Sequence, residues 1–209
     1  LENQLSGLLL KINGNEVWVK LIGTFNAYNL LAIYGTAIEL GLENIEVLRL
    51  LSDLESVSGR FQFIVSNSNI TAIVDYAHTP DALENVLKTL KDCADARELI
   101  TVFGCGGDRD KTKRKIMGMA AGILSDYCII TSDNPRTEDP ERIIEDVEEG
   151  MENIKSNYEK IVDRKKAIEK GLKLLREEDL LIIAGKGHED YQIIGEEKIH
   201  FDDREVVKE

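Results

Sequence analysis

The sequence has few residues that could build a disulfide framework or a zinc site. Its 209 residues include only three cysteines and three histidines. Cys93, Cys105 and Cys128 form no CxxC pair, and their odd number is typical of buried or incidental thiols in a reducing compartment. The histidines are scattered without the spacing of zinc ligands. We therefore expect a cytoplasmic protein without a metal site of its own.

Basic residues are also scarce, with 26 Lys and Arg against 39 Asp and Glu and a formal net charge of −13. This excess of acid argues against nonspecific binding to nucleic acid or to anionic membrane surfaces. No apolar run approaches the roughly 18–20 residues that a membrane span needs. With 43% hydrophobic and 31% charged residues, the composition is that of a folded globular protein. We expect neither nucleic acid nor a membrane among its partners.

From residue 60 onward, apolar runs alternate with amphipathic segments. The predicted strands, apolar throughout as in sheets buried on both faces, are 70–74, 99–103, 127–131 and 180–184. The predicted helices are about 80–94, 113–125, 140–153 and 164–176. Strands separated by single helices predict an α/β fold, with a Rossmann-like, mostly parallel sheet and helices on both faces. Residues 191–194 and 198–201 predict a C-terminal antiparallel hairpin.

The first 58 residues follow another pattern. Residues 5–22 predict a hairpin around Asn13-Gly14-Asn15, a loop type that supplies the positive φ angles of a tight turn. Two helices are predicted at about 27–40 and 43–51. The polar stretch 52–59 suits a domain boundary, so we expect domains at 1–58 and 59–209.

Each of the four predicted strands ends in a polar cluster. The clusters are Asp75–Asp81, Gly104–Lys111, Ser132–Arg136 and Gly185–Asp190. Because the carboxyl ends of parallel strands meet at one edge of a sheet, ligands of open α/β proteins bind there. Arg109 and Arg136 accompany Glu189 and Asp190, a mixture that suits a ligand with both carboxylate and ammonium groups.

Each cluster taken alone has a simpler interpretation. Gly104–Gly107 resembles the start of a dinucleotide fingerprint, but Arg109 stands at the position of its third glycine. Gly185-Lys186-Gly187 resembles the end of a phosphate loop, but a glycine replaces the Ser or Thr, and the sequence contains no Walker A motif. Asp133-Asn134-Pro135 by itself is typical of a turn and helix cap.

In chain order, however, these motifs resemble those of the Mur ligase family. They are most similar to the members that add the third, diamino residue of the peptidoglycan stem peptide. The matching segments are Gly23–Asn29, Gly59–Phe61, Asp75–Asp81, Gly104–Lys111, Asp133–Arg136, Gly185–Glu189 and Phe201–Glu205. The resemblance implies that residues 59–209 are the C-terminal, amino-acid-binding domain. Residues 1–58 are then a truncated piece of the central α/β ATPase domain.

The resemblance also implies roles for individual residues. Those that match ATP-binding positions are Asn26 and Asn29 near the adenine, Arg60 at the interdomain hinge, Asp75 at the ribose, and His78. Those that match the diamino-acid pocket are Arg109, Asp133, Asn134, Pro135, Arg136, Gly185 and Glu189. A guanidinium at position 136 can hold a distal carboxylate by a bidentate pair, while Glu189 receives an ammonium group. This combination favours meso-diaminopimelate, or an isostere such as lanthionine, over lysine.

The family reaction implies further substrates and cofactors. ATP phosphorylates a carboxylate of UDP-MurNAc-L-Ala-D-Glu, and the amine of the diamino acid attacks the acyl phosphate, with Mg²⁺ and basic groups stabilising the developing charge. The phosphate loop and the Mg²⁺ ligands are absent from this sequence and, by the resemblance, would precede Leu1. We therefore expect no ligase activity from the 209 residues alone.

Two other interpretations stay open. A folylpolyglutamate or cyanophycin synthetase would share the superfamily, although Asp133–Arg136 and Gly185–Glu189 argue against that substrate class. A noncatalytic α/β module that binds amino acids or nucleotides would share only the architecture.

Overall fold

The computed structural model describes residues 2–65, 71–93, 98–152, 154 and 156–209. The chain forms two compact units, Leu1–Val57 with Thr89–Ala94 and Ser58–Lys88 with Asp95–Glu209. In the described ranges, none of the helices has the length and apolar character that crossing a bilayer requires.

The first unit contains a three-stranded antiparallel sheet and two helices. In spatial order the strands are β1 (Glu2–Gln4), β2 (Gly7–Ile12) and β3 (Asn15–Val19), and the helices are α1 (Thr24–Glu39) and α2 (Asn44–Asp53). The predicted hairpin is confirmed, since β2 pairs with β3 and the intervening Asn13 and Gly14 have φ angles of 48° and 84°. Sheet and helices share one apolar cluster, formed by Leu8, Leu10, Val17, Val19, Leu30, Tyr34, Val47, Leu48 and Leu51.

The second unit is built on a six-stranded sheet. Its strands are β4 (Gln62–Val65), β5 (Thr71–Asp75), β6 (Leu99–Phe103), β7 (Tyr127–Thr131), β8 (Asn157–Ile161) and β9 (Leu180–Ala184). The spatial order is β4-β5-β9-β6-β7-β8, with β4 antiparallel and the other strands parallel. The chain's remaining elements are α3 (Pro80–Cys93), α4 (Thr112–Leu124), α5 (Pro140–Glu148), α6 (Arg164–Leu174), β10 (Tyr191–Ile194), β11 (Glu197–His200) and α7 (Asp203–Lys208).

The central strands are buried on both faces, as their apolar sequences predict. Side chains on one face of the sheet, such as Val102 and Ile183, pack with Ile168 of α6 and Val206 of α7. Side chains on the opposite face, such as Phe103, are also fully buried. Helices α4 and α5 contact β7. The predicted mostly parallel α/β sheet and the C-terminal hairpin, β10 with β11, are therefore confirmed.

Some boundaries and elements differ from the sequence prediction. Strands β4 and β8 and helix α7 were not expected. The helix predicted at 140–153 ends at Glu148, and just beyond it a Cβ at Gly150 would lie 2.0 Å from the carbonyl oxygen of Lys115. The predicted cap of α3 is present, with the Ala82 amide 3.3 Å from Thr79 Oγ1. Ile70, Ala94 and Asn153, which belong to predicted elements, lie outside the described residues.

Candidate active site

The sheet order brings four polar loops together at one edge. β5, β9, β6 and β7 are neighbours in the sheet, and each is followed by one of the polar clusters found in the sequence. Two glycines lie so close to the loop after β7 that a side chain would not fit. A Cβ at Gly104 would lie 2.2 Å from the carbonyl oxygen of Thr131, and one at Gly185 would lie 2.7 Å from Asp133 Oδ2. Gly185 also has a φ of 120°, which favours glycine.

Asn134 is the centre of a buried polar network at this edge. Its side-chain oxygen accepts hydrogen bonds from Lys186 Nζ at 3.1 Å and from the backbone amide of Ile193 at 2.9 Å. Its Nδ2 donates to Glu189 Oε2 at 2.9 Å. Asn134 and Glu189, predicted from the sequence to share a pocket, are therefore in direct contact.

Lys186 is a member of this network that the sequence analysis missed. Its side chain is fully buried, and Nζ lies 3.6 Å from Asp133 Oδ1 and 3.5 Å from Glu189 Oε2. Burial lowers the pKa of Lys186, because desolvation disfavours the ammonium form, while the neighbouring carboxylates oppose that shift. The available signal was its place between two glycines directly after a buried strand, where a lysine cannot extend freely into solvent.

The C-terminal hairpin is tied to the loop after β7. Gln192, which the sequence analysis did not single out, donates from Nε2 to the carbonyl oxygen of Asp133 at 2.6 Å. The backbone amide of Arg136 donates to the carbonyl of Ile193 at 3.0 Å, and Gly195 donates to the carbonyl of Arg136 at 2.7 Å. These contacts make the hairpin part of the frame that holds residues 133–136.

The two predicted pocket arginines lie on either side of Gly106. A Cβ at Gly106 would lie 3.0 Å from Arg136 Nη1 and 3.8 Å from Arg109 Cγ. Arg136 is half-buried in a left-handed backbone conformation with a φ of 52°, and its Nη1 donates to the carbonyl of Gly107 at 2.8 Å. Arg109 is exposed, and its Nη1 donates to the carbonyl of Asp108 at 2.9 Å. Arg136 therefore borders the network that contains Glu189, since its Nη1 also lies 3.4 Å from the backbone carbonyl oxygen of Asn134, while Arg109 lies in the loop after β6.

A buried arginine supports the loops that carry Arg109 and Arg136. Arg114 pairs through Nη2 with Glu138 Oε1 at 2.8 Å and through Nη1 with Asp146 Oδ2 at 2.7 Å. Glu138 also accepts from the backbone amide of Asp108 at 2.7 Å, which links the loop after β6 to the loop after β7. Pro135 contributes backbone to the same turn, since its carbonyl accepts from the Glu138 amide at 3.1 Å.

The Glu138 cluster predicts a dependence of stability on pH. Hydrogen bonds from Arg114 and Lys111 lower the pKa of Glu138 from 4.5 to about 2. Because the folded-state pKa is the lower one, the stabilisation is complete above about pH 5 and is lost as the pH falls towards 2. We expect the difference in free energy of unfolding between the wild type and Glu138→Gln to be largest near pH 6 and to shrink through that window. Denaturant titrations between pH 2 and pH 6 measure it, and a constant difference would contradict the assignment.

Three of the residues predicted to bind ATP surround Tyr76. The guanidinium carbon of Arg60 lies 4.6 Å from the centre of the Tyr76 ring, and the His78 ring lies 4.5 Å from it. Tyr76 also donates from its hydroxyl to Glu189 Oε1 at 3.4 Å. Asp75, directly before it, is buried and accepts from the backbone amides of Phe61 at 2.7 Å and Ala77 at 2.8 Å. Burial raises the pKa of Asp75, although these hydrogen bonds act in the opposite direction.

The other two predicted ATP residues lie in the first unit, at the start of α1. Asn26 donates from Nδ2 to the carbonyl of Ile22 at 2.7 Å, and exposed Asn29 donates from Nδ2 to Asn26 Oδ1 at 3.0 Å. Asn26 therefore has a local structural role, and Asn29 stays on the surface of this unit.

An ion pair without exposed surface lies beneath the strand ends. Arg164 Nε donates to Asp203 Oδ1 and Arg164 Nη2 donates to Asp203 Oδ2, both at 2.8 Å. Nη2 also donates to the carbonyl of Ala184 at 3.2 Å, directly before Gly185. Among the described residues, no group of three or more His, Cys, Asp or Glu side chains is arranged to hold a metal ion.

Comparison with known proteins identifies the family. Residues 59–187 match the family model described as Mur ligase, glutamate ligase domain. The chain belongs to the Mur ligase family. This Mur ligase sequence is 58% identical, over 93% of its length, to UDP-N-acetylmuramoyl-L-alanyl-D-glutamate--2,6-diaminopimelate ligase 2 of Clostridium acetobutylicum. The match covers 40% of that relative, so the chain spans about two fifths of its length.

Solved structures of other proteins are also similar to this chain. A UDP-N-acetylmuramoyl-L-alanyl-D-glutamate--2,6-diaminopimelate ligase is 39% identical with a TM-score of 0.72, and the match covers 99% of this chain and 43% of that one. A folylpolyglutamate synthase from Thermotoga maritima is 20% identical with a TM-score of 0.66, covering 88% of this chain and 42% of that one. The second likeness shows the fold alone.

Proposed function

We propose that this chain is the amino-acid-binding part of an ATP-dependent ligase that joins meso-diaminopimelate, or an isostere such as lanthionine, to UDP-MurNAc-L-Ala-D-Glu in the cytoplasm. Residues 59–209 are the C-terminal domain of that ligase, and residues 1–58 are the remnant of its central ATP-binding domain. The names of the relatives support this substrate. ATP supplies the phosphoryl group that activates the carboxylate of the UDP-linked dipeptide.

The observation that carries the proposal is the placement of one acidic and one basic side chain, Glu189 and Arg136, beside Asn134. The side-chain amide of Asn134 contacts Glu189, and the backbone carbonyl oxygen of Asn134 lies 3.4 Å from Arg136 Nη1. Glu189 receives an ammonium group of the diamino acid, while Arg136 and Arg109 receive carboxylates. A substrate with one ammonium and one carboxylate at its distal end pairs with both Glu189 and Arg136. Lysine has no distal carboxylate and would leave Arg136 without a substrate group to bind.

Within this pocket the chain's residues bind and orient the attacking amino acid. Gly185 lets Asp133 approach β9, and the Gln192 contact holds the backbone on which Asn134 and Arg136 lie. The nucleotide side is assigned to Arg60, Asp75 and His78 around Tyr76 and to Asn26 and Asn29. By the resemblance to the family, the proposal assigns the Mg²⁺ ligands to other parts of the complete ligase.

The proposal is tested by ADP release from the complete ligase that carries this chain, with UDP-MurNAc-L-Ala-D-Glu and ATP. We expect release to depend on meso-diaminopimelate and to be much slower with L-lysine, because lysine lacks the carboxylate that Arg136 binds. The 209-residue chain alone is expected to release no ADP. A preference for lysine or for glutamate would overturn the substrate assignment. Absence of any ADP release by the complete protein would favour a noncatalytic binding module.

A further inference from the structure

A buried ammonium group lies within the proposed amino-acid pocket. The Lys186 side chain has no exposed surface, so protein acceptors must satisfy it. Three surround Nζ, namely Asn134 Oδ1 at 3.1 Å, Glu189 Oε2 at 3.5 Å and Asp133 Oδ1 at 3.6 Å. An ammonium group has three hydrogens and no lone pair, and here each has an acceptor nearby. Lys186 is therefore part of the pocket's internal frame and out of reach of a ligand in solution.

These contacts fix the orientation of the Asn134 amide. Its oxygen faces two donors, the Lys186 ammonium and the Ile193 amide, and its NH₂ group faces the Glu189 carboxylate. The reversed amide would place NH₂ against both donors and an oxygen against the carboxylate, three repulsive contacts. One Nδ2 hydrogen is used by Glu189, and the second is available to a ligand carboxylate. Asn134 is thus a donor towards the ligand because its oxygen is occupied.

The same ammonium group lies between two carboxylates, those of Asp133 and Glu189. Asp133 and Glu189 together carry two negative charges, and Lys186 balances one of them. An arriving substrate ammonium balances the other. Tyr76 and Asn134 donate to the two oxygens of Glu189 and hold its carboxylate in one orientation. Without Lys186 the two carboxylates would repel each other, and Glu189 would lose one of the contacts that position it.

We propose that Lys186 is a positioning residue for substrate selection, which keeps Asn134 as a carboxylate donor and Glu189 as an ammonium acceptor. This inference rests on the proposed function. Lys186 acts through these two side chains and does not touch the substrate. Its removal therefore impairs recognition of the amino acid and spares recognition of ATP and of the UDP-linked substrate.

The test is steady-state kinetics of the complete ligase carrying Lys186→Met, which keeps an unbranched side chain only one atom shorter and removes its charge. We expect the KM for meso-diaminopimelate to rise about 10- to 100-fold, as when a charged partner of buried polar groups is lost. The KM values for ATP and for UDP-MurNAc-L-Ala-D-Glu should stay within about twofold of the wild type. Lys173→Met is the matched control, since it removes an exposed lysine in the last turn of α6 and should leave all three KM values unchanged.

A double-mutant cycle separates positioning from general destabilisation. Because Lys186 acts partly through Asn134 and partly through Glu189, Asn134→Ala combined with Lys186→Met should raise the KM for meso-diaminopimelate by less than the product of the two single effects. Additive effects, or an equal loss for all three substrates, would overturn the positioning role. If Lys186→Met does not fold, Lys186→Gln replaces it, since the glutamine amide retains a donor for Asn134 but no charge. Its KM for meso-diaminopimelate should exceed that of the wild type, and a wild-type KM would again overturn the role.

The same assays separate this inference from the proposed function. A wild-type enzyme that ignores meso-diaminopimelate would overturn the proposed function and, with it, the ligand assigned to Lys186. A wild-type enzyme that uses meso-diaminopimelate, together with a Lys186→Met variant of wild-type KM, would overturn only the role of Lys186.

Discussion

Replacing Asp203 with alanine is expected to lower the free energy of unfolding of the second unit by about 3–5 kcal/mol, the usual cost of breaking a buried ion pair from one side. Arg164 has no exposed surface, and Asp203 satisfies two of its N–H groups. Without that carboxylate, a full positive charge stays buried among backbone carbonyls. Urea titration of the chain, followed by circular dichroism, measures the loss.

The neighbouring pair of Lys165 and Glu209 provides the control for Asp203. These residues also join α6 to the end of the chain after α7, but both side chains are largely exposed. Solvent screening leaves such pairs with little net effect, so Glu209→Ala should not move the unfolding midpoint measurably. An Asp203→Ala variant that unfolds at the same urea concentration as Glu209→Ala would contradict the importance of the buried pair.

The second large effect concerns the choice of amino acid. In the complete ligase, Arg136→Ala is expected to raise the KM for meso-diaminopimelate about 100-fold, because a bidentate, charge-assisted pair with the distal carboxylate is lost. The KM for ATP should not change. Kinetics with meso-diaminopimelate and L-lysine measure both the loss and the reduced discrimination.

Two further variants make the Arg136 result interpretable. Lys at this position keeps the charge but cannot form the planar two-bond contact, so Arg136→Lys should fall between the wild type and the alanine variant. Arg142→Ala removes an exposed arginine of α5 and should behave as the wild type. An unchanged KM for meso-diaminopimelate in Arg136→Ala would contradict the role of Arg136.

The central strands were predictable because short apolar runs of this kind indicate strands in the interior of a parallel sheet. Leu180–Ala184 is apolar at every position and Leu99–Phe103 at every position except Thr101, a pattern typical of strands buried on both faces. Asn157–Ile161, at the sheet edge, has three polar residues and no regular alternation, a pattern equally compatible with a loop. The position of β9 between β5 and β6 depends on pairing between distant segments, which local patterns do not encode.

The candidate site was predictable in its outline and less so in its internal contacts. The polar clusters were expected to meet at one edge of the sheet, where the structure places them, and Asn134 and Glu189 contact each other there. Lys186 was missed because lysine is rarely fully buried, and only the three-dimensional structure shows the acceptors around it. Gln192 was missed because its contact with Asp133 joins residues that are far apart in sequence.

The central position of β9 has a consequence for folding during synthesis. Thr71 of β5 and Leu99 of β6 both pair with Leu180 of β9, so the middle of the sheet stays open until that late segment has left the ribosome. Until then, the apolar edges of β5 and β6 are unpaired and available to other chains. A polypeptide truncated before residue 180 should aggregate or be retained by chaperones, however complete its earlier strands and helices are.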